Sequence, residues 1–342
     1  MNATTYQSHY QPQWVKADFI DFILEKVNPL WSINKVKAEV VEYKQLSEDM
    51  YQVHLQPNSK FNKIWQAGQS VLVTIQIAGV FHQRSYSIVE ITDQGQVVLG
   101  IKRQGQVSKF LTQPHQNLIV ELSQVQGDFV LHQGTAPALF IASGSGITAI
   151  YAMLKQALKQ NLQQVYVLYF NRHPIYHAEI EKLAAQYPQL QYLLIDTTTQ
   201  KQHFDENLIN AFCPDWQQYN AYVCGASPLM QAAKQLYADH QKQNLLHTEY
   251  FQPTVDENAT EQPITFRRSQ RDFIATQTLL ISAEQAGLKP SHGCRMGICN
   301  TCTCTKVSGV TKNILTGEIE SEDNRPIKLC ISQAISPVVI DL

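Results

Sequence analysis

Cys294-Arg295-Met296-Gly297-Ile298-Cys299-Asn300-Thr301-Cys302 decides the last domain of this chain, and Cys330 answers it after 27 intervening residues. Three thiols spaced C-x4-C-x2-C, with a fourth returning from a distance, match the four thiolates of a [2Fe-2S] cluster. The ligands must come from a loop. Four sulfurs have to converge on two irons, and neither a helix nor a strand turns its side chains inward so fast. Gly293 and Gly297 supply the tight backbone and let peptide N–H groups approach the sulfurs, which tunes the potential. Zinc also takes four cysteines, but its structural sites usually come as two C-x2-4-C pairs. A disulfide framework needs an oxidising compartment, and nothing in the sequence points to export. The spacing therefore favours iron–sulfur ligation by Cys294, Cys299, Cys302 and Cys330. Cys304 reads as a small buried neighbour, because Cys330 completes four ligands without it.

The flanks agree. Residues 279–286 read as a short helix that Gly287 is placed to end. Residues 264–266 and 272–275 read as the two strands of a hairpin. Hairpin, helix, cysteine loop and returning cysteine, in that order, resemble a plant-type ferredoxin domain over about residues 263–342. The resemblance implies an α+β domain of the β-grasp kind.

At 342 residues the chain has room for two or three domains. A hydrophobic content of 44% is ordinary for a globular protein, and a net charge of −2 argues against a nucleic-acid binder. No stretch approaches the ~20 apolar residues of a spanning helix. The N-terminus lacks the charged and apolar regions of a signal peptide, so a cytoplasmic protein is expected. Glutamine is abundant but scattered, and there is no internal repeat.

The first 34 residues (1–34) read as an N-terminal helical extension. Residues 1–12 are polar and read as disordered. A helix follows over 14–27, with Val15, Phe19, Phe22, Ile23 and Val27 on one face. That face is expected to pack on the protein's own body; a docking surface for a partner or a membrane interface is the alternative, and few basic residues weaken the membrane version. Asn28-Pro29 ends the helix. Residues 35–134 carry short β segments at 38–43, 50–55, 70–77, 84–89 and 96–101 separated by turn residues, the pattern of an antiparallel β-barrel. Over 135–251 apolar strands (139–142, 165–170, 190–195, 221–224) alternate with helices (149–160, 178–187), which means an α/β domain on a parallel sheet. Residues 252–263, with two prolines and several acids, read as a linker. The ferredoxin-like domain takes 264–342.

Gly144-Ser145-Gly146 follows a buried strand and opens a helix, where close backbone approach and the helix N-terminus suit a pyrophosphate. Alone it is a weak signal, since the third glycine of the dinucleotide fingerprint is missing. It is joined by Arg84-Ser85-Tyr86-Ser87, by Gly105-Gln106-Val107-Ser108 at a helix start, by Cys224-Gly225-Ala226-Ser227-Pro228-Leu229-Met230, and by His247-Thr248-Glu249-Tyr250-Phe251. These five segments, taken in chain order from Arg84 to Phe251, resemble the flavin and nucleotide motifs of the ferredoxin-NADP reductase superfamily over about residues 35–251, with Ala149 where proline is common. With the ferredoxin-like tail, the whole chain looks like an oxygenase- or desaturase-type reductase.

The resemblance implies roles. Arg84 would pair with the flavin phosphate, which suits a bidentate guanidinium. Tyr86 would stack on the flavin, and Ser87 would hydrogen-bond N5, where the hydride lands. Gly105 and Ser108 would bind the phosphate through backbone and hydroxyl. Gly144, Gly146 and Thr148 would hold the nicotinamide nucleotide, with Cys224 and Glu249 orienting its ring. After the second strand the chain has Asn171-Arg172-His173 and no acid, so Arg172 points to NADPH over NADH. FAD is expected over FMN as the commoner flavin of the superfamily. The implied activity is an NAD(P)H-dependent oxidoreductase that passes single electrons to an oxygenase or desaturase partner, because a flavin can be oxidised one electron at a time and the cluster carries one. Asn28-Pro29-Leu30-Trp31-Ser32 and the N-terminal helix look like the reductases of membrane fatty-acyl desaturases, with peripheral contact to a membrane-bound partner. A reductase of a soluble phenylacetyl-CoA or aromatic-ring hydroxylase, and a non-catalytic electron-transfer subunit, are the alternatives. Thr148, Cys224 and Glu249 together favour the enzyme.

Overall fold

The computed structural model describes residues 17–200, 202–251 and 260–342. The expected disorder of 1–12, the start of the first helix and most of the expected linker lie outside the described residues. The first helix, α1 (Ala17–Val27), is present, but its apolar face does not pack inward. Phe19, Phe22, Ile23 and Val27 are exposed (59, 54, 47 and 70%), and the buried residue is Asp21. This corrects the expectation of a core-facing helix. Polar ties hold α1: Asp21 accepts from Ser32 Oγ (2.9 Å) and Ile33 N (2.6 Å), and Glu25 pairs with the buried Lys37 at 2.5 Å. Asn58 Nδ2 adds a bond to Leu30 O at 3.0 Å.

Six strands close a barrel: β1 (Val36–Gln45), β2 (Met50–Pro57), β3 (Ser70–Ile77), β4 (Val80–Ile91), β5 (Val97–Lys102) and β6 (Ile119–Leu122). Their order around it is β1-β2-β5-β4-β3-β6. The alternating inward residues, among them Val53, Leu55, Val71, Val73, Ile88, Leu99 and Ile101, fill its interior. A short helix, α2 (Gln106–Leu111), plugs one end with Val107 and Leu111.

The second domain is a five-stranded parallel sheet. Its elements are β7 (Ala138–Ser143), α3 (Ile147–Lys159), β8 (Val165–Asn171), α4 (His177–Gln186), β9 (Leu190–Asp196), α5 (Glu206–Phe212), β10 (Asn220–Gly225), α6 (Ser227–Asp239) and β11 (Leu246–Tyr250). The strand order is β11-β10-β7-β8-β9, so the topological switch lies between β7 and β10, and crevices at such switches bind ligands. On α3, Ile147, Ile150, Met153, Leu154, Ala157 and Leu158 are buried at helical spacing, each large one contributing ~1.5–3 kcal/mol. This helix also packs on β4. The Gly100 backbone lies so close to Thr148 that a Cβ there would sit 2.3 Å from its methyl.

The third domain begins with β12 (Gln262–Phe266), one residue or two earlier than the expected linker allowed, followed by β13 (Arg271–Ala275) and α7 (Leu279–Gln285). After the cysteine loop come β14 (Thr303–Ser308), β15 (Thr311–Asn313), β16 (Ile319–Glu320), β17 (Arg325–Lys328), β18 (Ser332–Ala334) and β19 (Val338–Ile340). The main sheet runs β13-β12-β19-β14-β17 with β12 parallel to β19, and α7 lies against β13: the expected β-grasp arrangement. Gly287 ends α7 as expected, at φ +78, with Gly287 N bonding Glu284 O and Leu288 N bonding Ala283 O; this is a Schellman cap. Among the described residues no helix is long and apolar enough to cross a membrane.

Candidate active site at the junction of three domains

One cavity of about 370 Å³ is walled by all three domains. The barrel supplies Arg84, Tyr86, Ser87, Lys102, Gly105 and Ser108. The parallel-sheet domain supplies Ser145, Glu249, Tyr250 and Phe251, and the third domain Leu280, Ile281, Cys294, Arg295, Met296 and Cys330. Strand β4 pairs in register with β3, Ser87 opposite Ser70 and Arg84 opposite Val73, and this fixes the spacing of Arg84, Tyr86 and Ser87 along the wall.

The wall has unmet hydrogen-bonding capacity. Ser87 Oγ, Glu249 Oε2 and Arg295 Nε are buried without a partner among the described residues. Native structures rarely leave such groups unsatisfied, so these three fit a polar ligand seated between them. Glu249 is part-exposed as a residue, but its Oε2 is out of water's reach, and burial pushes its carboxyl up to about 8. It is therefore a neutral acid near pH 7, able to donate. Cys224, fully buried behind it, is raised by burial and then by Glu249, and is inert as a thiolate. Tyr86 is pushed up by burial, with Arg84 opposing, so its phenol stays neutral. Arg84 is drawn down from its usual value, first by desolvation and then by Arg295. It bonds Gln83 O at 2.7 Å and has no carboxylate partner among the described residues, which leaves a guanidinium facing the cavity for an anion.

Several expected residues do other work. Ser108 Oγ accepts from Gln104 N (3.0 Å) and Gly105 N (2.9 Å) and donates to Gly105 O (3.0 Å). Its hydroxyl thus builds the turn that opens α2 and engages the Gln104 and Gly105 N–H groups. Thr148 is wholly buried and donates to Ser145 O at 3.0 Å. Gly146 sits where a Cβ would meet Cys224 O at 2.0 Å, so the glycine is required by the close approach of β7 and β10. Gly144, at φ +54, makes the turn before it. Arg172 is exposed just past the end of β8 and does not line the shared cavity.

The four expected cluster cysteines gather in two pairs. Cys294 Sγ accepts from Met296 N (3.4 Å) and Cys299 N (3.3 Å), while Cys299 Sγ accepts from Cys294 N (3.3 Å). Cys302 and Cys330 lie 3.3 Å apart, sulfur to sulfur. Among the described residues no three such side chains converge on a single ion; two pairs of thiols fit two irons, one pair each. The hydrogen bond between Cys302 and Cys330 draws Cys302 down and pushes Cys330 up. Burial holds Cys304 up to about 12. Peptide N–H groups aimed at the sulfurs are what a cluster's potential depends on. Cys294 and Cys330 line the same cavity as Arg84 and Tyr86, so cluster and flavin sites share a wall. Sequence reasoning missed Lys102 and Arg295 as wall residues, although Arg295 stands inside the quoted cysteine motif.

Known proteins are similar in the same places. Residues 140–235 match the oxidoreductase NAD-binding domain, and residues 265–334 match the 2Fe-2S iron-sulfur cluster binding domain. An NADPH oxidoreductase of Mycobacterium tuberculosis is 28% identical over 338 residues, covering 94% of this chain and 88% of that protein. The glycine betaine monooxygenase reductase subunit of Pseudomonas aeruginosa is 28% identical over 323 residues, 81% of this chain and 87% of that one. The solved structure of a phthalate dioxygenase reductase superposes with a TM-score of 0.62 at 20% identity, over 90% of this chain and 97% of it, which shows the shared three-domain fold.

Proposed function

We infer that this chain, an oxygenase-type reductase of the ferredoxin-NADP reductase superfamily with a C-terminal [2Fe-2S] domain, takes reducing equivalents from NADPH and hands them singly to a terminal oxygenase or desaturase. The observation that carries this reading is the single cavity in which the flavin motif, Glu249 and two cluster cysteines meet. FAD bound there supplies hydride acceptance and one-electron release, and a cluster on the four cysteines supplies a one-electron carrier. The chain's own residues do the positioning. Ser87 Oγ would offer the reacting edge of the ring a hydrogen bond. Tyr86 would pack on the ring, and Arg84 with the Gly105 turn would take the phosphate. Glu249, protonated, would meet the nicotinamide without adding charge. Phe251 and Leu280 exclude water from the shared wall.

NADPH is the favoured donor: the exposed Arg172 offers a guanidinium for a 2′-phosphate, and the Mycobacterium relative is an NADPH oxidoreductase. The exposed face of Phe19, Phe22, Ile23 and Val27 on α1 supports a docking surface for the electron-accepting partner, in a cytoplasmic setting with peripheral contact if that partner is membrane-bound. A soluble hydroxylase as acceptor differs only in what meets that face. An anaerobic visible titration tests the reading: NADPH should bleach flavin and cluster absorption together, at lower concentration than NADH. Flavin and cluster bands untouched by either nucleotide would refute it in favour of a non-catalytic subunit.

A further inference from the structure

We propose that Arg295, the residue after the first cluster cysteine, is a ligand of the flavin's phosphate, so that the cluster loop closes the flavin site from the third domain. This rests on the reading of the cavity as a flavin site. Arg295 adopts a left-handed backbone, φ +62, unusual for a side-chain-bearing residue. Its guanidinium is fixed in orientation. Nη1 donates to Glu284 Oε2 at 2.7 Å, and Nη2 reaches Glu284 Oε1 and lies 2.7 Å from His292 Nε2. Glu284 is itself placed by the Schellman cap of α7. Of the five N–H donors of its guanidinium, Nε–H is buried and has no acceptor among the described residues. A buried donor of a charged group left unpaired is costly, so this one marks the place of a missing acceptor.

The charge of the wall says what kind of acceptor. Arg84, Lys102 and Arg295 all line the cavity. Lys102 has Asp49 at 3.4 Å and Arg295 has Glu284, but Arg84 has no carboxylate among the described residues. Glu249, the acid that lines the cavity, is protonated near neutral pH. The two arginines are close enough that Arg295 lowers the affinity of Arg84 for its proton. An anion between them reverses that repulsion, and phosphate oxygens accept from guanidinium donors in short, charge-assisted bonds. The loop is also seated on the barrel: a Cβ on Gly293 would lie 2.5 Å from Gln83 Oε1. A phosphate held by Arg84 from the barrel and Arg295 from the cluster loop would tie flavin occupancy to the placement of the third domain.

The competing account gives Arg295 only the task of tying the cluster loop to α7 through Glu284. Flavins with and without phosphate separate the two. The full-length, cluster-loaded protein is stripped of flavin, and binding of riboflavin, FMN and FAD is followed by fluorescence quenching, with the cluster's visible circular dichroism as a check on the loop. In Arg295→Gln, FMN and FAD should bind at least about tenfold more weakly, with riboflavin unchanged; Arg295→Lys should recover part of the loss. An equal loss for all three flavins, or none for any, overturns the proposal. Should Arg295→Gln fail to hold its cluster, Glu284→Gln decides. It frees the guanidinium's charge from its carboxylate, so FMN should bind more tightly than in the parent while riboflavin does not change; unchanged or weaker FMN binding overturns the proposal. A parent protein that binds no flavin would instead sink the reading of the cavity itself, before any variant is compared.

Discussion

Replacing Glu249 with glutamine should remove a pH-dependent weakness from the nucleotide-free protein. Burial holds the Glu249 carboxyl up to about 8, against 4.5 in the open chain. Below 4.5 both folded and unfolded chains carry its proton and there is no penalty. Between 4.5 and 8 the unfolded chain is ionised and the folded chain is not, so the folded state binds more protons and stability falls as pH rises. Above 8 the full penalty is in place and constant. At ~1.4 kcal/mol per pH unit, the loss over that interval is on the order of 5 kcal/mol, an upper bound because the rest of the side chain is part-exposed and solvent weakens the effect. Glutamine keeps the shape and never ionises. Thermal unfolding of the parent and Glu249→Gln from pH 5 to 9 should show the variant's advantage growing up to about pH 8 and then levelling. Parallel curves over the whole range would refute a buried, proton-holding Glu249 and with it the neutral donor assigned to the nicotinamide side of the cavity.

Three further outcomes follow from the geometry. Cys299→Ser should abolish reduction of a one-electron protein acceptor such as cytochrome c while leaving NADPH reduction of the flavin within about twofold, measured by stopped-flow; loss of both would make the loop a structural support only. Arg172→Ala should raise KM for NADPH by about tenfold or more and that for NADH little, since a surface guanidinium meeting a phosphate is a charge-assisted contact; equal changes would remove the 2′-phosphate assignment. Phe19→Ser with Phe22→Ser should leave dye reduction and the melting temperature nearly unchanged, because both rings are exposed, yet slow electron delivery to the partner. A large drop in melting temperature would mean that the α1 face is core.

The parts of the fold that were legible are those with a strong local period. Strand β3 matches its expected bounds to the residue, and four of the five strands of the parallel sheet match to within one, because their runs are apolar, while the half-buried β11 was not read as a strand. Strand β6, which closes the barrel, escaped: Ile119–Leu122 has four residues, one of them an acid, and its meaning comes from pairing with β1 and β3 far away in sequence. The strands after the cysteine loop are two to six residues long and were missed for the same reason. At the site, the motifs gave the residue types but not their hydrogen-bond accounts. Nothing in the sequence says that the Ser108 hydroxyl is spent on its own turn, that Thr148 lies under Gly100, or that Arg295 Nε is buried without a partner among the described residues. Each of these depends on how two distant elements pack. Helix α1 misled because its apolar spacing is real while its anchor is polar: Asp21 and Glu25 hold it down, and the apolar face is left outward.

The central claim is that electrons entering from the nicotinamide reach the cluster within one chain. Mixing the anaerobic protein with NADPH and freezing the sample for electron paramagnetic resonance tests it most directly. The shared wall of flavin motif and cluster cysteines predicts a reduced-cluster signal approaching one spin per chain, formed after the flavin absorption falls. A bleached flavin beside a cluster that stays oxidised would contradict it.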